Sequence, residues 1–212
     1  MAEDWRLPRI GTPSDPLRLG ILISGSGSGM EALLRHQGQL GCLHTTNVVI
    51  SDKLEVAGLT KAQSMGVTAV VVPLPEIKDK SQRRLVHENE VNQVLADHGV
   101  ELVILSGYMR ILTPSFVQPW AGRLLNIHPS LLPKFPGAHA HKEVIAAKET
   151  KSGCTVHFVD SKMDSGPILG QEIVEVLQTD TEQSLGEKVK IKEHLLYPLI
   201  IDQLASGKIE SP

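Results

Sequence analysis

The segment Leu125-Asn126-Ile127-His128-Pro129 puts an amide and an imidazole two residues apart at the end of an apolar run. In an extended chain such neighbours point to the same side, and Pro129 biases His128 away from helix, so Asn126 and His128 share a face. A hydrogen-bond donor for a developing oxyanion, beside a group able to donate or relay a proton near neutral pH, is what acyl transfer requires. A satisfied histidine at a strand end is the simpler reading of His128 taken alone. The run Ser24-Gly25-Ser26-Gly27-Ser28-Gly29 offers backbone N–H groups at a helix start, where the helix dipole also favours an anion. It is neither common nucleotide loop: a dinucleotide fingerprint needs glycine where Met30 stands, and a P-loop ends in Gly-Lys-Ser/Thr. One phosphate on a small substrate fits it better.

Asp164 precedes Ser165-Gly166-Pro167, where a carboxylate could reach the same crevice and orient His128, although ordinary turn chemistry is enough to account for it. His139-Ala140-His141 lacks a ligand partner at metal spacing, and there is no H-E-x-x-H or C-x-x-C element, so no metal is expected. His157 reads as a packed or hydrogen-bonded residue. Arg83, Arg84, Lys190 and Glu193 fall on helix-patterned segments whose default is a solvated face.

The elements that must position these groups follow from the hydrophobic pattern. Apolar runs at 17–24, 47–51, 67–72, 101–106 and 123–127 alternate with helical patterns from about Met30, from about Glu55, over 80–97 and after Thr113-Pro114. Strands alternating with helices imply βαβ units and a parallel sheet with ligands at the carboxyl ends of its strands. Beyond residue 150 the runs 154–160 and 166–176 read as a hairpin around Met163-Asp164-Ser165-Gly166. The expected fold class is therefore α/β, a Rossmann-like, mostly parallel twisted sheet with helices on both faces and a late antiparallel hairpin. A last helix over about 181–206 directs Leu185, Val189, Leu195, Leu196, Leu199 and Ile200 to the core, with Pro198 as a kink or break.

The chain of 212 residues has 41% hydrophobic, 3% aromatic and 21% charged residues, an ordinary globular composition with an aliphatic core. Its 21 basic and 24 acidic residues give a net charge of −3 with no basic block, which argues against a nucleic-acid partner. No stretch has the length of a membrane span. Cys42 and Cys154 read as buried small hydrophobes in a reducing compartment, and a cytoplasmic location is expected. Residues 1–16, with Pro8, Pro13 and Pro16, read as a loosely held arm before a domain over 17–212.

Four segments together carry a resemblance: Ile23 to Ser28, Gly107 to Leu112 (GYMRIL), Leu125 to Gly137 (LNIHPSLLPKFPG) and Val156 to Pro167 (VHFVDSKMDSGP). Over residues from about 17 to 206 the chain resembles the folate-dependent formyltransferases, most closely the branch that formylates glycinamide ribonucleotide. The resemblance implies formyl transfer from 10-formyltetrahydrofolate to the amine of that ribonucleotide, in purine synthesis, without a metal. These two small molecules would be its partners, and the protein a monomer or homodimer. It implies Asn126, His128 and Asp164 as the catalytic trio, with Asp164 orienting His128 and raising its pKa. Gly25, Ser26, Gly27, Ser28 and Gly29 would cradle the phosphate, helped by Lys190, and Glu193 would accept from a ribose hydroxyl. The folate would lie against Met109, Arg110, Ile111 and Leu112, with Phe116, Val117 and Leu124 as apolar wall. The backbone around Val159 and Asp160 would read its pterin edge and Arg84 its anionic tail. A cis Leu132-Pro133 peptide is also implied. One departure is Gly29, where the family commonly has asparagine. Related enzymes that hydrolyse the same folate or formylate a tRNA carry an extra module, so the length of this chain favours the ribonucleotide branch.

Overall fold

The computed structural model describes residues 5–211. Seven strands form one sheet: β1 Leu17–Ile23, β2 His44–Ser51, β3 Thr68–Val71, β4 Leu102–Leu105, β5 Leu124–His128, β6 Lys151–Phe158 and β7 Ile168–Glu175. Their order is β3-β2-β1-β4-β5-β6-β7; the first five pair in parallel, and β6 and β7 are antiparallel. Helices α1 Ser28–Gln37, α2 Ala57–Ser64, α3 Lys80–Asp97, α4 Pro114–Val117, α5 Ala140–Ala146 and α6 Glu182–Ala205 cover the two faces. The mixed, mostly parallel Rossmann-like sheet is thus as the sequence pattern required.

Burial on both faces explains why the central strands are unbroken aliphatic runs. In β4, Leu102 and Ile104 enter a cluster with α1 and α6, while Val103 and Leu105 enter a second with α3 and α4. Gly20 of β1 lets α3 approach: a Cβ there would stand 2.5 Å from Leu95 Cδ2. The helix starts follow capping chemistry: Asp79 accepts from the Gln82 N–H to begin α3, and Thr181 and Ser184 form a capping box on α6. Tyr197 of α6 reaches the carbonyl oxygens of Leu105 (3.1 Å) and Leu125 (3.0 Å), fixing the helix against β4 and β5.

Several expectations are corrected. Leu195 and Leu199 are 65% and 51% exposed, because the buried stripe of α6 runs through Leu185, Val189, Leu196, Ile200 and Leu204 and leaves them off it. The helix continues through Pro198, which is buried; packing holds it helical despite the lost hydrogen bond. Residues 1–4 of the arm lie outside the described residues, but 5–16 are seated on the domain. Trp5 packs on Phe158 at 5.4 Å between ring centroids, Gly11 N–H donates to Ala205 O, and Arg9 pairs with Glu101 at 2.7 Å. Helix α5 carries no periodicity strong enough to be read, and the β6–β7 connection spans 159–167, longer than a tight turn. Cys154 is buried, but Cys42 is only half-buried; both are free thiols.

Candidate active site

The chain runs outward through β1, β2 and β3, then returns to place β4 on the other side of β1, so the strand order reverses between β1 and β4. Ligands of open α/β sheets bind at such a point, beyond the carboxyl ends of the strands. The loop after β1 and the segment 107–112 after β4 flank it. They are tied together: Ser24 N–H donates to Gly107 O (3.1 Å) and Met109 N–H to Ser24 Oγ (2.8 Å).

Gly27 caps α1 in the left-handed conformation (φ 64°), with no side chain bonded to the helix start, so the first N–H groups of α1 face outward from a glycine-serine loop. Gly29 packs so that a Cβ would lie 2.7 Å from Ser106 Oγ, a hydroxyl at the end of β4. An asparagine at position 29 would have to displace that hydroxyl.

Asn126 and His128 end β5 on one face, as period two requires. His128 Nε2–H donates to Phe135 O (2.8 Å), which commits that nitrogen and leaves Nδ1 toward Asp164, 3.4 Å from Oδ2. Asp164 arrives on the β6–β7 connection and accepts from Gly137 N–H (2.8 Å). Both Phe135 (φ 55°) and Asp164 (φ 50°) occupy the left-handed region, a conformation aspartate tolerates and phenylalanine does not readily adopt. The Leu132–Pro133 peptide between them and β5 is cis.

His157 was legible only as a packed residue, and the β5–β6 register sets it opposite Asn126. Its Nδ1–H donates to Phe158 O (2.8 Å), so Nε2 accepts from Asn126 Nδ2 (3.3 Å) and holds the amide in place. Burial pushes the His157 pKa down, keeping the ring neutral and able to accept. Asp164 Oδ1 lies 3.8 Å away. The signal in the sequence was the alternation of strand 154–160, which points His157 the way Asn126 points. The result is a free amide hydrogen on Asn126 and the Nδ1 edge of His128, beside a fixed carboxylate. That arrangement can stabilise an oxyanion and manage one proton.

A cavity of about 250 Å³ is lined by Arg84, Met109, Arg110, Ile111 and Leu112, together with His87, Glu88 and Tyr108. Arg110 is braced by Asp52, Nε to Oδ2 2.6 Å. Met109 and Ile111 are 68% and 59% exposed, an apolar surface available to a flat ligand. Phe116, Val117 and Leu124, expected as its wall, are instead 0–1% exposed within the second core cluster. They sit behind the cavity because α4 buries its apolar side on β4 and β5. Val159 N–H is spent on Leu124 O, and Asp160 accepts from Ser165 and Lys162 to shape the 159–167 loop.

Lys190 and Glu193 stand one turn apart on α6. Loss of solvent pushes half-buried Glu193 up to about 7, against the pull of Lys190. A carboxyl raised above its unfolded value adds stability at low pH that is lost as pH rises through the folded pKa. Most of that loss falls below pH 7, so Glu193→Gln should gain about 1 kcal/mol of stability relative to wild type between pH 6 and 8. Parallel urea titrations at both pH values check this. His139 is exposed ahead of α5; His141 lies against α6 at Gly186, its pKa lowered chiefly by burial.

Comparison with known proteins agrees with this geometry. The family model described as "Formyl transferase" matches residues 17–201. The chain is 35% identical to phosphoribosylglycinamide formyltransferase of Escherichia coli over 92% of its own length and 90% of that protein. It is 40% identical, over 91% of its length, to the human trifunctional purine biosynthetic protein adenosine-3, and spans 19% of that larger protein. The crystal structure of phosphoribosylglycinamide formyltransferase from Brucella melitensis superposes with a TM-score of 0.84 at 41% identity, over 93% of this chain and 100% of that one. With the switch-point crevice, the Asn126–His128 pair and these matches all falling on one continuous domain, the chain belongs to the formyl transferase family.

Proposed function

We propose that this enzyme transfers the formyl group of 10-formyltetrahydrofolate to the amine of glycinamide ribonucleotide, yielding the N-formyl product and tetrahydrofolate in purine synthesis. The observation that carries the reading is the pairing, at one switch point, of an anion-ready glycine loop after β1 with the Asn126–His128–Asp164 group after β5. The first supplies a seat for a single phosphate, the second the chemistry of acyl transfer, and the cavity at 109–112 an apolar seat for the pterin and aryl rings.

In this mechanism the ribonucleotide amine attacks the formyl carbon. A C–N bond forms, and the carbonyl oxygen becomes an oxyanion held by Asn126 Nδ2–H and the proton on His128 Nδ1. Asp164 keeps that imidazole turned and balances its charge. The intermediate collapses as the bond from carbon to the folate nitrogen breaks; the amine's proton ends on that nitrogen, so atoms and charge balance. Side-by-side binding of the two substrates supplies proximity, worth up to roughly 7–11 kcal/mol in well-oriented systems.

The deciding experiment is a transfer assay with 10-formyltetrahydrofolate, run with and without the ribonucleotide. Turnover that depends strictly on the ribonucleotide is expected; formate release without it would replace this reading with hydrolysis. Lys190→Ala should raise KM for the ribonucleotide roughly 10- to 100-fold, the loss of one charge-assisted phosphate contact. KM for the folate should stay within about twofold, since Lys190 does not line its cavity. Equal changes in both would remove Lys190 from the phosphate seat.

A further inference from the structure

His36 at the end of α1, Cys42 on the connection to β2, His44 at the first residue of β2 and Asp202 near the end of α6 converge, their ligand atoms all within 4.8 Å of one another. This is the one such group of three or more among the described residues, and it was invisible as a motif because one member lies 158 residues from the nearest other. It gathers where β2 begins, at the end of the sheet opposite the carboxyl-end crevice, and formyl transfer uses none of it.

We propose that these four side chains form a closed binding site for one divalent first-row transition ion, with Zn²⁺ the ion that their donor set suits. Two imidazoles, a thiolate and a carboxylate are a four-ligand set of the borderline softness that zinc takes in tetrahedral sites. The carboxylate already lies between the rings: Asp202 Oδ2 is 2.8 Å from His36 Nε2 and Oδ1 is 2.9 Å from His44 Nε2. The two rings are stacked, their centroids 6.0 Å apart and their planes 12° apart, and each turns its Nε2 to one oxygen of the same carboxylate. Bonds of 2.0–2.3 Å in a tetrahedron give donor separations of roughly 3.3–3.7 Å, so closing the group asks for side-chain movements of about 1 Å. Half-buried Cys42 has only a 3.4 Å contact to His44 O to give up.

Gln37 decides whether His44 can ligate. As placed, its Nε2 donates to His44 Nδ1 (2.9 Å), which puts the ring proton on Nε2, toward Asp202. Turned by 180°, the amide presents its oxygen to Nδ1–H and frees Nε2 as a ligand, the hydrogen-bonded arrangement that metal-binding histidines favour. The turn keeps a partner for Thr46 Oγ1 and gives up the 3.2 Å contact from Thr46 N–H. Binding then moves the ring proton of each histidine to Nδ1 and releases one proton, from the Cys42 thiol, to solvent. Hydrogen bonding between Asp202 and the histidines accounts for three of the four residues without an ion; it leaves the thiol beside them unexplained.

The test uses tag-free protein stripped with a chelator. Titration with Co²⁺ as a spectroscopic probe should give one equivalent bound, with tetrahedral d–d bands and a thiolate-to-cobalt charge-transfer band, and Zn²⁺ should displace it. Cys42→Ser, a change on a loop, should abolish the charge-transfer band and weaken Zn²⁺ binding at least tenfold. Asp202→Asn should also weaken binding at least tenfold. One equivalent of Zn²⁺ should raise the thermal midpoint of wild type and not of Cys42→Ser. Binding well below one equivalent, an octahedral cobalt spectrum, or unchanged affinity in folded Cys42→Ser would overturn the proposal and leave the group as a hydrogen-bonded carboxylate between two histidines.

Discussion

His128→Ala lowers kcat for formyl transfer by roughly 10³-fold, the loss of one oxyanion donor together with a proton-handling group. The protein still folds. His128 is 4% exposed, and its one strong partner, the Phe135 carbonyl, lies 3.1 Å from Ser130 Oγ, whose single proton, now on the exposed Lys134 carbonyl at 2.6 Å, can turn to it after the change. The stability cost is then about 1–2 kcal/mol, within reach of a thermal scan and small beside the kinetic loss. Substrate KM values change little, because the interaction is made mainly in the transition state. Wild-type turnover in a folded variant would remove His128 from the chemistry.

Asp164→Asn separates charge from shape. Asparagine accepts the Gly137 N–H as Asp164 does and tolerates φ 50°, so the 159–167 connection keeps its course, whereas alanine there would be strained. The negative charge beside His128 Nδ1 is lost, and kcat should fall roughly 10²- to 10⁴-fold, at most the loss of about 10⁴-fold known for neutralising the carboxylate of a catalytic triad. If Asp164 works through His128, the double variant His128→Ala/Asp164→Asn is no slower than His128→Ala alone, within about threefold. Multiplied losses in the double variant would show instead that Asp164 acts on the substrate independently. Rapid-quench assays of all four proteins make the comparison.

How much of this site was legible follows from the range over which each interaction acts. Asn126 and His128 could be placed on one face because period two is a local property of an extended backbone, and β5 has it. The anion-ready loop was legible because Gly27 needs a left-handed backbone and its neighbours have no bulk to shield the helix start. The folate wall of Phe116, Val117 and Leu124 was implied by the resemblance, and local pattern had no means to test it. Apolar character says that a side chain is shielded, and only the packing of α4 on the sheet says by what.

By itself the sequence determined the alternation of strands and helices, the mostly parallel sheet, and the residue types at the ends of β1, β4 and β5, since backbone periodicity and capping operate within a few residues. The tertiary structure decided which of those groups meet. Asp164 reaches His128 across 36 positions because the β6–β7 connection folds back over β5, with Gly137 N–H fixing the carboxylate. His157 braces Asn126 only through strand register, residues 5–16 are seated by contacts to Glu101, Ala121, Phe158 and Ala205, and His36, Cys42, His44 and Asp202 meet only when α6 docks against α1. Such contacts depend on the docking of distant surfaces, whose complementarity is a property of the packed core and leaves no periodic trace along the chain.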